Sequence, residues 1–290
     1  MTNIPVSNSH LSKVLTNLTG ASKKNYYNPY QEFAWPETIP DNQYWMSPEL
    51  LSVYGTPYMN ELNEERLITL SQWECVNFFS INVHGERGLL QSVLNCIHQP
   101  GFDEASEYFH HFVGEENEHM WFFSQFCLRY GGKIYKDKGL KHTPSKERTI
   151  EQFLSFARIW IFEKIGDFYN VRMKDDERLP SIIRQVSRVH HEDESRHLAM
   201  GREVIKLLYK QLQQKYPPER LQDLEAYLKG YMEASLGLLY NPIVYRDAGL
   251  ISPYEVQRNL LASESRQEFH QQVLERVIKF FDKNEIFLRN

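Results

Sequence analysis

Seven residues able to bind a metal ion fall into two matching sets along the chain: Glu86, Glu116 and His119, then Glu163, His190, Glu194 and His197. A lone Glu followed by Glu-x-x-His recurs almost in register, with 86 matching 163, 116 matching 194 and 119 matching 197. Side chains at i and i+3 or i+4 share one helix face and reach a common point. Glu116 with His119 satisfies this, and His190, Glu194 and His197 form a stripe two turns long. Two helix pairs related by an approximate twofold axis would project these groups inward, the arrangement by which helical bundles hold two iron or manganese ions. Carboxylate oxygens mixed with imidazole nitrogens, without thiolate, suit those metals better than a structural zinc. Four ionised glutamates balance two divalent ions, so a filled cluster of this composition can be buried near neutrality.

One Glu-x-x-His is expected by chance in a chain of this length, and a third, Glu107 with His110, is present. It lies nine residues before Glu116, and nine steps of about 100° put it on the opposite side of the same helix. Glu116 and His119 share their face with Phe109, Phe112, Val113, Met120 and Phe123, whereas Glu107 and His110 share theirs with Asp103, His111, Glu118 and Gln125. Only the first pair is aimed at a core. Phe79, Val83, Leu90 and Val93 surround Glu86, and Phe156, Ile159 and Trp160 surround Glu163; glutamate in such company is rare unless it is paired or binds a metal.

The elements that must position these groups are helical. The pattern predicts a short turn at 47–53, then a long helix over about 61–98 carrying Glu86 and ended by Pro100 and Gly101. A second, over about 103–130, has Asp103 as its cap and Gly131-Gly132 as its stop. A third over about 145–172 carries Glu163, and a fourth over about 180–212 carries the histidine stripe. A fifth is expected over about 218–240, and Ser252-Pro-Tyr-Glu255 reads as a capping box opening a sixth to about 283. About 45 residues before these, rich in Tyr, Asn and Pro, read as an ordered arm wrapped on the bundle. No segment alternates with period two, so the fold class is all-α.

At 290 residues, 41% hydrophobic and 24% charged, the chain can bury one large helical core. A net charge of −5, a pI near 6.1 and no basic run argue against nucleic-acid binding. Cys75, Cys96 and Cys127 read as reduced core residues. The polar N-terminus lacks the pattern of a signal peptide and no apolar run reaches membrane-spanning length, so a soluble, cytoplasmic protein is expected.

The stretches Asn82-Val-His-Gly-Glu86-Arg, Glu116-Asn-Glu-His119 and His190-His-Glu-Asp-Glu194-Ser-Arg-His197, with Glu163 between them, resemble the ferritin-like di-iron N-oxygenases of aryl amines, the p-aminobenzoate N-oxygenase family. The specific feature is His190, a third histidine one turn before the last Glu-x-x-His. The resemblance covers about residues 60–200. It implies one ferritin-like oxygenase domain over 1–290, with an arm at 1–60, a metal-binding four-helix core at 61–212 and additional helices at 218–285. It further implies two irons cycling between the ferrous and ferric states, with manganese as a possible substitute, held by all seven residues and reductively activating O2 as co-substrate. The reaction implied is N-oxygenation of an amine to a hydroxylamine, nitroso or nitro product in secondary metabolism; the alternatives are C–H hydroxylation or desaturation, and ferritin-type iron handling. Homodimerisation is implied too, and an external donor, a reductase or a ferredoxin, would supply electrons.

Around the ligands, Asp193 and Arg196 form Asp-Glu-x-Arg-His with the last motif, and Asp193 is expected to accept a hydrogen bond from a ligating histidine while pairing with Arg196. Val83, Leu90, Phe112, Trp160 and Gly166 are candidates for the lining of a substrate pocket. Arg266 is a candidate counter-cation for an aryl carboxylate, the plainer reading being a solvated arginine.

Overall fold

The computed structural model describes residues 8–140 and 144–287; the N-terminal residues read above for targeting lie mostly outside them. The elements are α1 (Ser9–Lys24), α2 (Pro29–Glu32), a 3-10 turn (Pro48–Leu50), α3 (Pro57–Glu61), α4 (Glu64–Leu94), α5 (Ser106–Tyr130), α6 (Arg148–Met173), α7 (Ser181–Lys215), α8 (Pro218–Gly237), α9 (Pro242–Asp247), α10 (Pro253–Ala262) and α11 (Glu264–Lys283). Every regular element among the described residues is helical, and the fold is a ferritin-like bundle. No helix among them is long and apolar enough to cross a membrane.

Helices α4 to α7 form the four-helix core, α4 packing chiefly on α5 and α6 on α7. Their apolar residues fall into two clusters. One takes Leu89 and Val93 of α4, Phe109 and Phe112 of α5, Phe156 and Ile161 of α6, and Val204 and Leu208 of α7. The other takes Phe79, Phe123, Tyr169 and Val186 from the opposite halves of the same helices. On each of the four helices the predicted metal ligands stand at the junction between these clusters. A thin polar layer is thereby clamped between two apolar blocks, and the burial of those blocks is what holds it there.

Local signals explain most boundaries. Asn63 accepts the Arg66 N–H at 3.0 Å and opens α4, which runs for 31 residues. Gly132, at φ +65°, turns the chain after α5. One reading gains detail and two need correction. The N-terminal arm contains a 16-residue helix, α1, capped by Asn8 at 2.7 Å from the Leu11 N–H; its Thr, Ser and Lys content masked the buried positions Leu11 and Leu15. Asp103 accepts from the Gly101 N–H at 3.3 Å and does not cap α5, which begins at Ser106. The expected sixth helix is broken at Ser263 into α10 and α11, and Ser252 sits in the left-handed region (φ 53°), where its side chain caps nothing.

Candidate metal centre

All seven predicted ligands converge. Glu86 comes from α4, Glu116 and His119 from α5, Glu163 from α6, and His190, Glu194 and His197 from α7; none is more than 3% exposed. One group of neighbouring ligand atoms comprises Glu116, His119, Glu194 and His197, a second Glu86, His119 and His190, and a third Glu163, His190 and Glu194. Glu194 is central, its Oε1 lying 3.2 Å from His190 Nε2, 3.3 Å from His197 Nδ1 and 3.5 Å from His119 Nδ1.

The histidines are oriented from outside the cluster. His197 Nε2–H donates to Glu115 at 2.7 Å, and His119 Nε2–H donates to Asp193 at 3.0 Å. With the proton on Nε2, each ring turns the Nδ1 lone pair toward the carboxylates. One guanidinium braces both acceptors: Arg196 Nη2 donates to Glu115 at 2.7 Å and to Asp193, while its Nε donates to Ser22 of α1 at 3.1 Å. His190 is held differently. Its Nδ1 lies 2.5 Å from Asn170 Nδ2, and the oxygen of that amide has no partner in the interior. Turned with that oxygen toward the ring, the amide accepts Nδ1–H, and Nε2 is left as a lone pair facing Glu86 at 3.4 Å.

The donor set fits two cations by a simple accounting of polar atoms. Both oxygens of Glu86, both of Glu163, Oε2 of Glu194 and Nε2 of His190 are buried without a hydrogen-bond partner, a state that is rare in native interiors. His197 Nδ1 approaches Glu116 Oε1 to 2.7 Å, a contact that needs either a proton on Nδ1 or a cation serving both groups. The protein alone therefore splits its carboxylates electrostatically. Burial pushes Glu86 and Glu163 well above the usual carboxylate range, and neighbouring glutamates reinforce this. Burial acts on Glu194 in the same sense, but the facing imidazoles override it and hold Glu194 low. Glu115, likewise pushed up by burial, is brought down to about 2 by His197 and Arg196. His119 would be lowered by burial, yet Asp193 and Glu116 raise it to about 10.

Glu115 and Asn170 were not singled out in the sequence. Asn170 follows Glu163 by two helical turns and so shares its face, a spacing that could have revealed it. Glu115 adjoins Glu116 with no distinguishing pattern of its own.

The pocket candidates are scattered. Phe112 and Trp160 line a buried cavity of about 10 Å3 together with Glu163 and His197. Trp160 also donates Nε1–H to Leu198 O at 3.1 Å. Gly166 lies beside Asn82 and His190, and Val83 and Leu90 are buried apolar side chains. Arg266 is not solvated: it is 1% exposed, donates to Tyr240 Oη at 2.9 Å and stacks 4.1 Å over Phe269. With Glu74 it lines a separate cavity of about 10 Å3, room for about one water. A further cavity, about 290 Å3 and open to solvent, is lined by none of the six. Its walls are Ile81, His84, Gly85 and Gly88 of α4, Arg158, Ile159 and Phe162 of α6, and the segment from Tyr135 to Leu140.

A helical bundle with a buried layer of glutamates and histidines between its four core helices is the arrangement of the ferritin-like di-iron carboxylate proteins, the class that includes the non-haem di-iron oxygenases. Within that class the chain matches the family described as P-aminobenzoate N-oxygenase AurF over residues 8–285, and it belongs to that family. Comparison with curated proteins finds no match. Among solved structures, the chain is similar to a tyrosine-to-phenylalanine variant of an R2-like ligand-binding oxidase with a Mn/Fe cofactor (14% identity, 89% of this chain and 93% of that one, TM-score 0.49). It is also similar to a glycine-to-leucine variant with an Fe/Fe cofactor (15% identity, 89% and 92%, TM-score 0.48), and to the oxidase without metal cofactor (15% identity, 89% and 96%, TM-score 0.44).

Proposed function

We propose that this di-iron oxygenase N-oxygenates an aryl amine, with Glu86, Glu116, His119, Glu163, His190, Glu194 and His197 as the metal ligands. The observation that carries the reading is the third histidine: His190 is fully buried, aimed at Glu86 and Glu194, and oriented by Asn170, within a chain of the N-oxygenase family. Bound there, two irons supply the electrons that reduce O2 and the site at which oxygen reacts.

The remaining work falls to the chain's own residues. Glu115 and Asp193 keep His197 and His119 in the tautomer that offers Nδ1 inward, and Arg196 fixes both acceptors at once. The apolar clusters exclude water from the polar layer. The open cavity next to α4 and α6, at about 290 Å3, matches the small end of ligand pockets and so a substrate with a single ring. Electron delivery by a reductase or ferredoxin, homodimerisation and a cytoplasmic location belong to the same proposal.

The test is to reduce the iron-loaded protein, admit O2 with a panel of aryl amines, and analyse products by mass spectrometry. Hydroxylamine, nitroso or nitro products support the reading. Oxygen found only on carbon, or a newly formed C=C bond, would replace it with C–H hydroxylation or desaturation.

A further inference from the structure

The metal ligands and the open cavity are neighbours that do not meet. Glu86 and Glu163 are 0% and 2% exposed, and neither lines the cavity. The residues immediately before them do: Gly85 on α4 and Phe162 on α6. The tip of the Phe162 ring occupies the place a side chain at position 85 would take, since a Cβ there would lie 2.1 Å from the ring's Cζ and 2.4 Å from Cε1. The ring thus closes the seam between the two helices at the level of the two carboxylates. Ile159, one turn earlier on α6, lines both the open cavity and the small buried one that contains Glu163 and His197. The two spaces thus share the Ile159 side chain as a common wall.

Phe162 is suited to move. It is half-buried with the cavity on one side, it belongs to neither apolar cluster, and Gly85 offers it no side chain to interlock with. A cavity of about 290 Å3 leaves room for a displaced ring. Gly88, on the same wall, has nothing within 4 Å of its would-be Cβ, so the tight fit at Gly85 is particular to the ring.

We propose that Phe162 is a gate, seated on Gly85, that separates the substrate cavity from the carboxylates and must swing into the cavity for a substrate to reach them. This rests on the reading of the cluster as the metal centre and of the cavity as the approach to it. Phe162 is accordingly a positioning residue that sets what enters and when.

The gate is testable without a substrate. Azide binding to the iron-loaded, oxidised protein is followed by stopped-flow absorbance. Phe162→Ala removes the ring and Gly85→Ala evicts it, so both should raise the azide association rate by about tenfold or more, while Gly88→Ala stays at the wild-type rate. Iron content and melting temperature are measured alongside; should Phe162→Ala not fold, Phe162→Leu and Gly85→Ala carry the comparison. Folded, iron-loaded variants at positions 85 and 162 that bind azide at the wild-type rate overturn the proposal. Failure to oxygenate any amine would remove the proposed reaction yet leave these rates to decide the gate.

Discussion

The side-chain amide of Asn170 lies 2.5 Å from Nδ1 of His190, and both residues are wholly buried. This contact decides which nitrogen of His190 faces Glu86 and Glu194. Asn170→Leu, similar in volume but unable to accept Nδ1–H, should weaken iron binding by about 10- to 100-fold, whereas Asn170→Asp, which can accept, should retain it. Iron titration of both variants checks the contrast; equal affinities would show that the amide does not orient the ring.

Arg196 holds two acceptors with one nitrogen. Arg196→Lys keeps the charge but loses the planar fork, so Glu115 and Asp193 cannot both be served along with Ser22. Breaking a buried charged network by removing one partner costs about 3–5 kcal/mol, and the lysine variant should fall short of that while Arg196→Met approaches it. Denaturant unfolding of the metal-free proteins gives the numbers. Metal occupancy should fall in both variants.

Glu163 should change sign with the metal. Without ions, a buried carboxylate lacking any hydrogen-bond partner costs a few kcal/mol, so Glu163→Gln should make the metal-free protein as stable as the wild type or more so. With iron present the same substitution removes a ligand, and it should lower both occupancy and melting temperature. A substitution that destabilises equally in both states would deny Glu163 its place in the centre.

A pH signature is expected from Glu74, which lies on α4 but outside the ligand cluster. Burial raises its carboxyl to about 7 despite the hydrogen bonds from Ser52 Oγ and N–H and the charge of Arg266. The unfolded chain releases that proton at about 4.3, so between the two values the folded state binds the extra proton. The contribution is complete below the unfolded value and is lost as pH rises through about 7, a span worth about 4 kcal/mol. Glu74→Gln should therefore be more stable than wild type at pH 8 and close to it at pH 5, as measured by urea unfolding at constant metal content.

The residues that converge on one point were legible because helical spacing is rigid: Glu116 with His119, and His190 with Glu194 and His197, could face nowhere but together. The apolar neighbours of Glu86 and Glu163 likewise betrayed burial. What supports them was less legible, because Glu115 and Ser22 meet their partners across 82 and 174 residues and such contacts leave no periodic trace; Asn170, two turns after Glu163, did share that residue's face. Asp193 was legible in part: Arg196 stands in the same helical turn, whereas the histidine that donates to it, His119, is 74 residues away. The cavity escaped entirely, since Phe162 and Gly85 matter through the shape of a seam between helices. Arg266 misled for the reason that long polar side chains usually do: its cavity companions come from four segments remote in sequence, and only Phe269 stands near it, one turn along α11.

The bond between Arg196 and Ser22 also has a bearing on synthesis. A ribosome releases α1 long before α7, so the brace behind His119 and His197 cannot close until some 174 further residues have emerged. Glu86, Glu116 and His119 must wait as an incomplete half-set during that interval, with too few donors to retain an ion firmly. The centre is thus completed only once α7 has been made, and a nascent chain is spared the hazard of holding reactive iron before it has the walls to contain it.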